Sequence, residues 1–183
     1  EFHGLPLQGD ARVLDPRPDT ETLVDWALDV LQGHPAPTVL DLGTGSGAIA
    51  LAIQHRRADA QVWALDASPD ALAVAQANAQ RLQLPVLCLH GQWLRDWPQR
   101  QVKTQATDPG APALPTHFDR IVSNPPYIRA DDPHLAALTH EPLSALASGP
   151  DGLADLREIV AQASAHLAPG GWLLLEHGWD QAD

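Results

Sequence analysis

The chain has 183 residues, 44% hydrophobic and 19% charged, a balance that excludes a disordered polymer and suits one globular domain. Lys and Arg number 11 against 23 Asp and Glu, a formal net charge of −12 with no basic run. Direct nucleic-acid binding resting on phosphate contacts is therefore not expected. The single cysteine, Cys88, allows no internal disulfide, and no apolar run reaches the ~18 residues of a membrane span. The expectation is a monomeric cytoplasmic protein without membrane contact. The sequence starts at Glu1 and holds no methionine, which reads as a processed chain or an excised fragment.

Residues 1–18 hold Gly4, Pro6, Gly9, Pro16 and Pro18 and read as extended segments and turns. A helix is expected over Asp19–Leu31, with Leu23, Trp26, Ala27 and Val30 on its apolar face. Asp19 or Thr20 can cap it, and Gly33 with Pro35 stops it. A regular alternation follows. Strands are expected at Val39–Leu42, Val62–Asp66, Val86–His90, Phe118–Ser123 and Trp172–Glu176. Helices are expected at Ala48–His55, Ser68–Leu82 and Gly152–Leu167, with Ser68 as N-cap and Pro69 at the first position of the second. The turn Pro169-Gly170-Gly171 precedes the last strand. This order predicts an α/β fold, a doubly wound, mostly parallel sheet with helices on both faces. Residues 1–35 form a connecting segment with the first helix, and 36–183 the main domain. Cys88 lies in an apolar run and reads as a core residue. Arg100–Thr116 reads as a surface insertion.

The segment Asp41-Leu42-Gly43-Thr44-Gly45-Ser46-Gly47-Ala48 joins the first strand to a helix. Its glycines let the backbone bend sharply and approach a ligand. Two cofactors fit this turn: a dinucleotide, through Gly43, Gly45 and Ala48, and S-adenosylmethionine, through a D-x-G-x-G-x-G loop. Both expect an acid at the end of the next strand to bond ribose hydroxyls, and Asp66 stands there. The alternative for Asp66 is capping of the helix that follows, and the ribose role is the favoured one.

Strand four separates the two. It runs directly into Asn124-Pro125-Pro126-Tyr127. Consecutive prolines fix φ, remove two donors and hold Asn124 extended. Such a tip suits a planar –NH2 group. The Asn124 side-chain oxygen and the Pro125 carbonyl can each accept one hydrogen, and Tyr127 can lie against the flat group behind it.

With these pieces in order, the chain resembles the amino-methyltransferases, and within them the HemK/PrmC-type protein-(glutamine-N5) methyltransferases that modify peptide chain release factors. The matching strings are 16–21 (PRPDTE), 41–48, 123–128, 141–143 with 145–146, and 175–178. The resemblance implies a class I, Rossmann-like S-adenosylmethionine-dependent fold, with S-adenosylhomocysteine as product. It implies that Gly43, Thr44, Gly45, Ser46 and Gly47 hold the cofactor with Asn124, that Asp66 binds the ribose, and that Trp93 packs near the adenine. It assigns the substrate glutamine to Asn124, Pro125, Pro126 and Tyr127, and places Arg17 and Glu21 in a segment covering the pocket. Members of the family carry a helical domain ahead of this region and further C-terminal strands beyond it. The expectation is that both are missing here and that strand five is left as a poorly covered edge.

Two other readings stand beside this one. A DNA adenine or cytosine amino-methyltransferase shares the Asn-Pro-Pro-Tyr string, and a cofactor-binding fragment without activity shares the glycine loop. No spacing suggests a metal site, and no nucleophile–base set converges. His177, beside Glu176, points toward the same sheet edge as the tip.

Overall fold

The computed structural model describes residues 1–95, 97, 113–138 and 140–181; most of the 100–116 insertion lies outside them. The elements in chain order are α1 (Thr20–Val30), β1 (Thr38–Leu42), α2 (Ala48–Arg56), β2 (Gln61–Asp66), α3 (Pro69–Leu82), β3 (Leu87–His90), β4 (Phe118–Ser123), α4 (Ala154–Ala163) and β5 (Leu167–Leu175). The five strands pair in parallel in the order β3-β2-β1-β4-β5. The order reverses between β1 and β4, the place where open parallel sheets hold their ligands.

Strand pleating sends alternate residues to opposite faces. Val39, Val62, Ala64, Val122 and Leu174 share a core with Leu23, Val24 and Ala27 of α1 and with α2. Leu40, Leu42, Trp63, Leu65 and Ile121 share the other with Ile159 and Ala163 of α4. Both faces are covered, so the strands read as continuous apolar runs. Phe2 and Leu5 join the first core, so residues 1–35 pack as part of this body. Every residue of α2 from Ala48 to Gln54 is buried, which is why its apolar residues show no single face.

Several details depart from the expectations. Trp26 is 61% exposed and Val24 takes its place in the core. Asp19 forms no side-chain cap on α1, whereas Ser68 accepts from the Ala71 N–H as expected. The helix expected to reach residue 167 ends at Ala163 and tightens into a 3-10 turn over Ser164–His166. Strand β5 starts at Leu167. The Pro169-Gly170-Gly171 turn lies inside it as a bulge, because Leu167 already pairs with Phe118 and pairing resumes with Trp172 opposite Arg120. Cys88 is half-buried, and burial pushes its thiol up to about 11, which leaves it unreactive.

Helix α1 is tied to β4 at both ends. The buried Arg120 donates to the carbonyl of Val30, a cation on the last turn of the helix. At the other end Thr20 meets Asn124, just past β4. The helix is about 15 Å long, and β4 from 120 to 124 spans about 13 Å, so the two elements match in length and run antiparallel. Among the described residues no helix is long and apolar enough to cross a membrane, and no group of three or more His, Cys, Asp or Glu could hold a metal ion.

Candidate active site

The turn after β1 is braced from three sides. Gly43 and Thr44 N–H groups both donate to the Leu65 carbonyl, at 2.8 and 3.0 Å. Asp66 accepts from Gly45 N–H and Ser68 N–H, each at 2.9 Å. It therefore ties the turn to the start of α3. A carboxylate has about four lone-pair sites, so capping leaves capacity for a ligand. Beneath the turn, Asp41 accepts from the Thr44 hydroxyl at 2.6 Å and from Ala50 N–H at 3.2 Å. Asp41 is fully buried, and its Oδ1 has no partner. Burial first, and the like charge of Asp66 last, raise its pKa to about 7 against the pull of those two hydrogen bonds.

Two glycines of the turn have separate reasons. Gly43, at φ 68°, lies against the Trp93 ring, where an added Cβ would stand 3.3 Å from the ring edge. Gly47, at φ 85°, directly precedes α2, and a Cβ there would stand 3.0 Å from Leu51 and 3.2 Å from Ala75. Gly47 is thus a packing position between α2 and α3.

Trp93 is held by α4. Its indole N–H donates to Asp155 at 3.0 Å, Leu94 N–H donates to Gln162 at 2.9 Å, and Arg95 pairs with Glu158. Its backbone is left-handed, φ 47°, which an L-residue adopts only under external constraint. Trp97 anchors elsewhere. It packs edge-on to Phe118 at 5.3 Å and donates to the Pro115 carbonyl.

At the end of β4, the Asn124 amide donates from Nδ2 to Thr20 Oγ1 at 3.1 Å. Tyr127 turns away toward Glu176, a long 3.4 Å contact. Burial and then the Glu176 charge push its phenol pKa up. The Tyr127 carbonyl accepts from Gln181 at 2.9 Å.

These parts enclose one cavity of about 260 Å³, just below the ~300–1,000 Å³ usual for small-molecule sites. Gly43, Thr44, Gly45, Ser46, Asp66, Trp93, Asn124 and Pro126 all line it. Gly47, Pro125 and Tyr127 do not. Arg17 lines it too and pairs with Glu141, whereas Glu21 accepts from His3 N–H outside it. His177 is exposed beside the Gly178 carbonyl. Lining residues that sequence reading did not assign include Thr20, Asp155 and the 12–14 strap. Thr20 carried a usable signal: it is a polar residue at the buried position of an amphipathic helix.

The methyltransferase small domain family matches residues 20–177. The release factor glutamine methyltransferase of Burkholderia pseudomallei (strain K96243) is 51% identical over 188 residues, covering 100% of this chain and 61% of that protein. The protein of the same name from Bordetella pertussis (strain Tohama I) is 50% identical, covering 100% and 63%. The chain thus spans about three-fifths of the length of these relatives. Among solved structures, the SAM-dependent methyltransferase from Agrobacterium tumefaciens aligns with a TM-score of 0.59 at 20% identity, covering 91% of this chain and 47% of that one. That likeness concerns the fold, and it is the class I methyltransferase fold that the five-stranded parallel sheet displays. With its glycine turn, Asp66 and Asn124 opening into one cavity inside the matched span, the chain belongs to the methyltransferase small domain family.

Proposed function

We propose that this chain carries the catalytic fold of an enzyme that methylates the side-chain amide nitrogen, N5, of a glutamine in peptide chain release factors. One observation carries the reading: Asn124 and Pro126, at the end of β4, open into the same cavity as Gly43–Ser46 and Asp66. A cofactor cradle and an amide-accepting tip thus share one space. The names of the relatives supply the substrate class.

The residues present fit S-adenosylmethionine. Gly45, at φ 55°, has open space where a side chain would lie, Asp66 keeps free lone pairs, and Trp93 offers an aromatic wall. In this reading Gly43–Ser46 hold the amino-acid part, Asp66 the ribose, and Trp93 packs near the adenine. The cofactor supplies an electrophilic methyl on a sulfonium and leaves as S-adenosylhomocysteine.

The difficulty lies with the nucleophile, because an amide nitrogen shares its lone pair with its carbonyl. Asn124 Oδ1, on the cavity wall, accepts from the amide N–H and turns the nitrogen toward the methyl, whereas Pro125 lies outside the lining. The same oxygen stabilises the positive charge that develops on the nitrogen, which is positioning plus electrostatic preorganisation. The proton passes to water after transfer, so no dedicated base is needed. A release-factor substrate places the reaction in the cytoplasm, and a monomer suffices for it.

The test is incubation with tritiated S-adenosylmethionine and either release factor or duplex DNA. Label in a release-factor glutamine is expected. Label in DNA alone, or none in either, overturns the reading.

A further inference from the structure

Thr20 is the first residue of α1 and one of its four buried residues, yet the other three, Leu23, Val24 and Ala27, are apolar. It is only 4% exposed. A buried hydroxyl without a partner costs ~1–3 kcal/mol, so a polar side chain there calls for a specific bond. The structure supplies one: Oγ1 accepts from Asn124 Nδ2 at 3.1 Å, 104 residues along the chain. Both residues line the cavity.

An amide side chain has two ends of nearly equal shape and opposite polarity. With Nδ2 engaged on Thr20, Oδ1 is the end left to accept from a ligand. The reverse orientation would turn two N–H donors toward an incoming –NH2 group, which offers donors of its own. The bond is held in place by architecture, because Arg120 fixes the far end of α1 to β4. The helix therefore cannot slide along the strand without breaking one anchor or the other.

We infer that Thr20 is a positioning residue, which accepts from Asn124 Nδ2 and so clamps the amide in place with Oδ1 left for the substrate nitrogen. The inference rests on the proposed amide methylation for its consequence, but not for the clamp itself. Thr20 does not touch the reacting atoms in this reading; it acts through Asn124.

The test uses the natural full-length polypeptide and two variants. Thr20→Val keeps shape and burial and removes the hydroxyl, while Thr20→Ser keeps the hydroxyl. The first readout needs no substrate: the side-chain amide proton resonances of Asn124, assigned by their loss in Asn124→Asp. They should shift and exchange faster with water in Thr20→Val and stay near wild type in Thr20→Ser. The second is methylation of a release factor. Thr20→Val should lower kcat by ~10–100-fold with KM and the dissociation constant of S-adenosylmethionine changed less than ~3-fold, and Thr20→Ser should recover most of the loss. Unchanged Asn124 resonances in Thr20→Val overturn the clamp, whatever the substrate proves to be. Shifted resonances with wild-type kcat overturn its role in transfer. Shifted resonances in a protein whose wild type methylates no glutamine uphold the clamp and overturn only the amide-methylation reading.

Discussion

Arg17 and Glu141 lie 124 residues apart in sequence and meet at the rim of the cavity, where one guanidinium nitrogen donates to both carboxylate oxygens at 2.8 Å. Glu141 also accepts from Asp15 N–H at 3.3 Å. The strap that lines the cavity through Val13, Leu14 and Pro16 is thereby joined to the turn that contributes Ser144 and Ala145. The Arg17 side chain is 44% exposed and that of Glu141 only 11%. Solvent screens such a pair, so it contributes little to global stability, but it links two walls of one pocket.

Arg17→Ala should therefore weaken ligand binding more than folding. The dissociation constant for S-adenosylmethionine is expected to rise ~3–10-fold, about 1 kcal/mol, with a melting shift of no more than a few degrees. Calorimetric titration and a thermal scan separate the two. An unchanged dissociation constant would reduce the pair to a surface contact.

Asn124→Ala should separate transfer from cofactor binding. Loss of one preorganised acceptor is expected to lower kcat ~10²–10³-fold, while the glycine turn and Asp66 still hold S-adenosylmethionine. Turnover with a release factor near the wild-type rate would remove Asn124 from the reaction.

Gly47→Ala probes folding, because Gly47 lies outside the cavity lining. Its φ of 85° and the 3.0–3.2 Å approach of Leu51 and Ala75 both oppose a Cβ. The expected loss is ~1–3 kcal/mol in urea unfolding. Gly43→Ala, against the Trp93 ring, should instead show a large rise in the cofactor dissociation constant. Equal effects of both variants on binding would contradict this division.

Asp41 should give stability an unusual pH dependence. Its pKa is raised by burial from an ordinary 3.8 to about 7. Between those values the folded state holds a proton that the unfolded state has released, so this group's stabilisation falls as pH rises from about 4 to 7. Asp41→Asn removes the titration. The wild-type-minus-variant difference in unfolding free energy should thus decline across that window and level off above it. A flat difference from pH 4 to 7 would show that Asp41 does not titrate there.

The local signals were legible where chemistry is local. Ser68 followed by Pro69 announces a helix start, and the cap forms as expected. The glycine turn is legible because glycine enters the left-handed φ of 43, 45 and 47 without a Cβ penalty. Trp26 has the spacing of the apolar face, but α1 turns it outward. In β5, pairing with β4 resumes across a Pro-Gly-Gly bulge that sequence alone presents as a turn. Periodicity gives the direction of a side chain around its own axis, and neighbours decide which part of that arc is covered.

The sequence by itself determined the alternation of strands and helices, the glycine turn, the acid at Asp66 and the rigid Asn-Pro-Pro-Tyr tip. Each rests on backbone constraints that act within a few residues. Only the tertiary structure decided which of those residues share a cavity. It places Pro126 at the wall and turns Tyr127 away toward Glu176. It brings Trp93 under Gly43 by way of Asp155, and it sets Thr20 against Asn124. Those contacts join residues tens to more than a hundred positions apart. They exist because parallel strands place the ends of β1 and β4 side by side while α1 lies back across them, a geometry that no local pattern encodes.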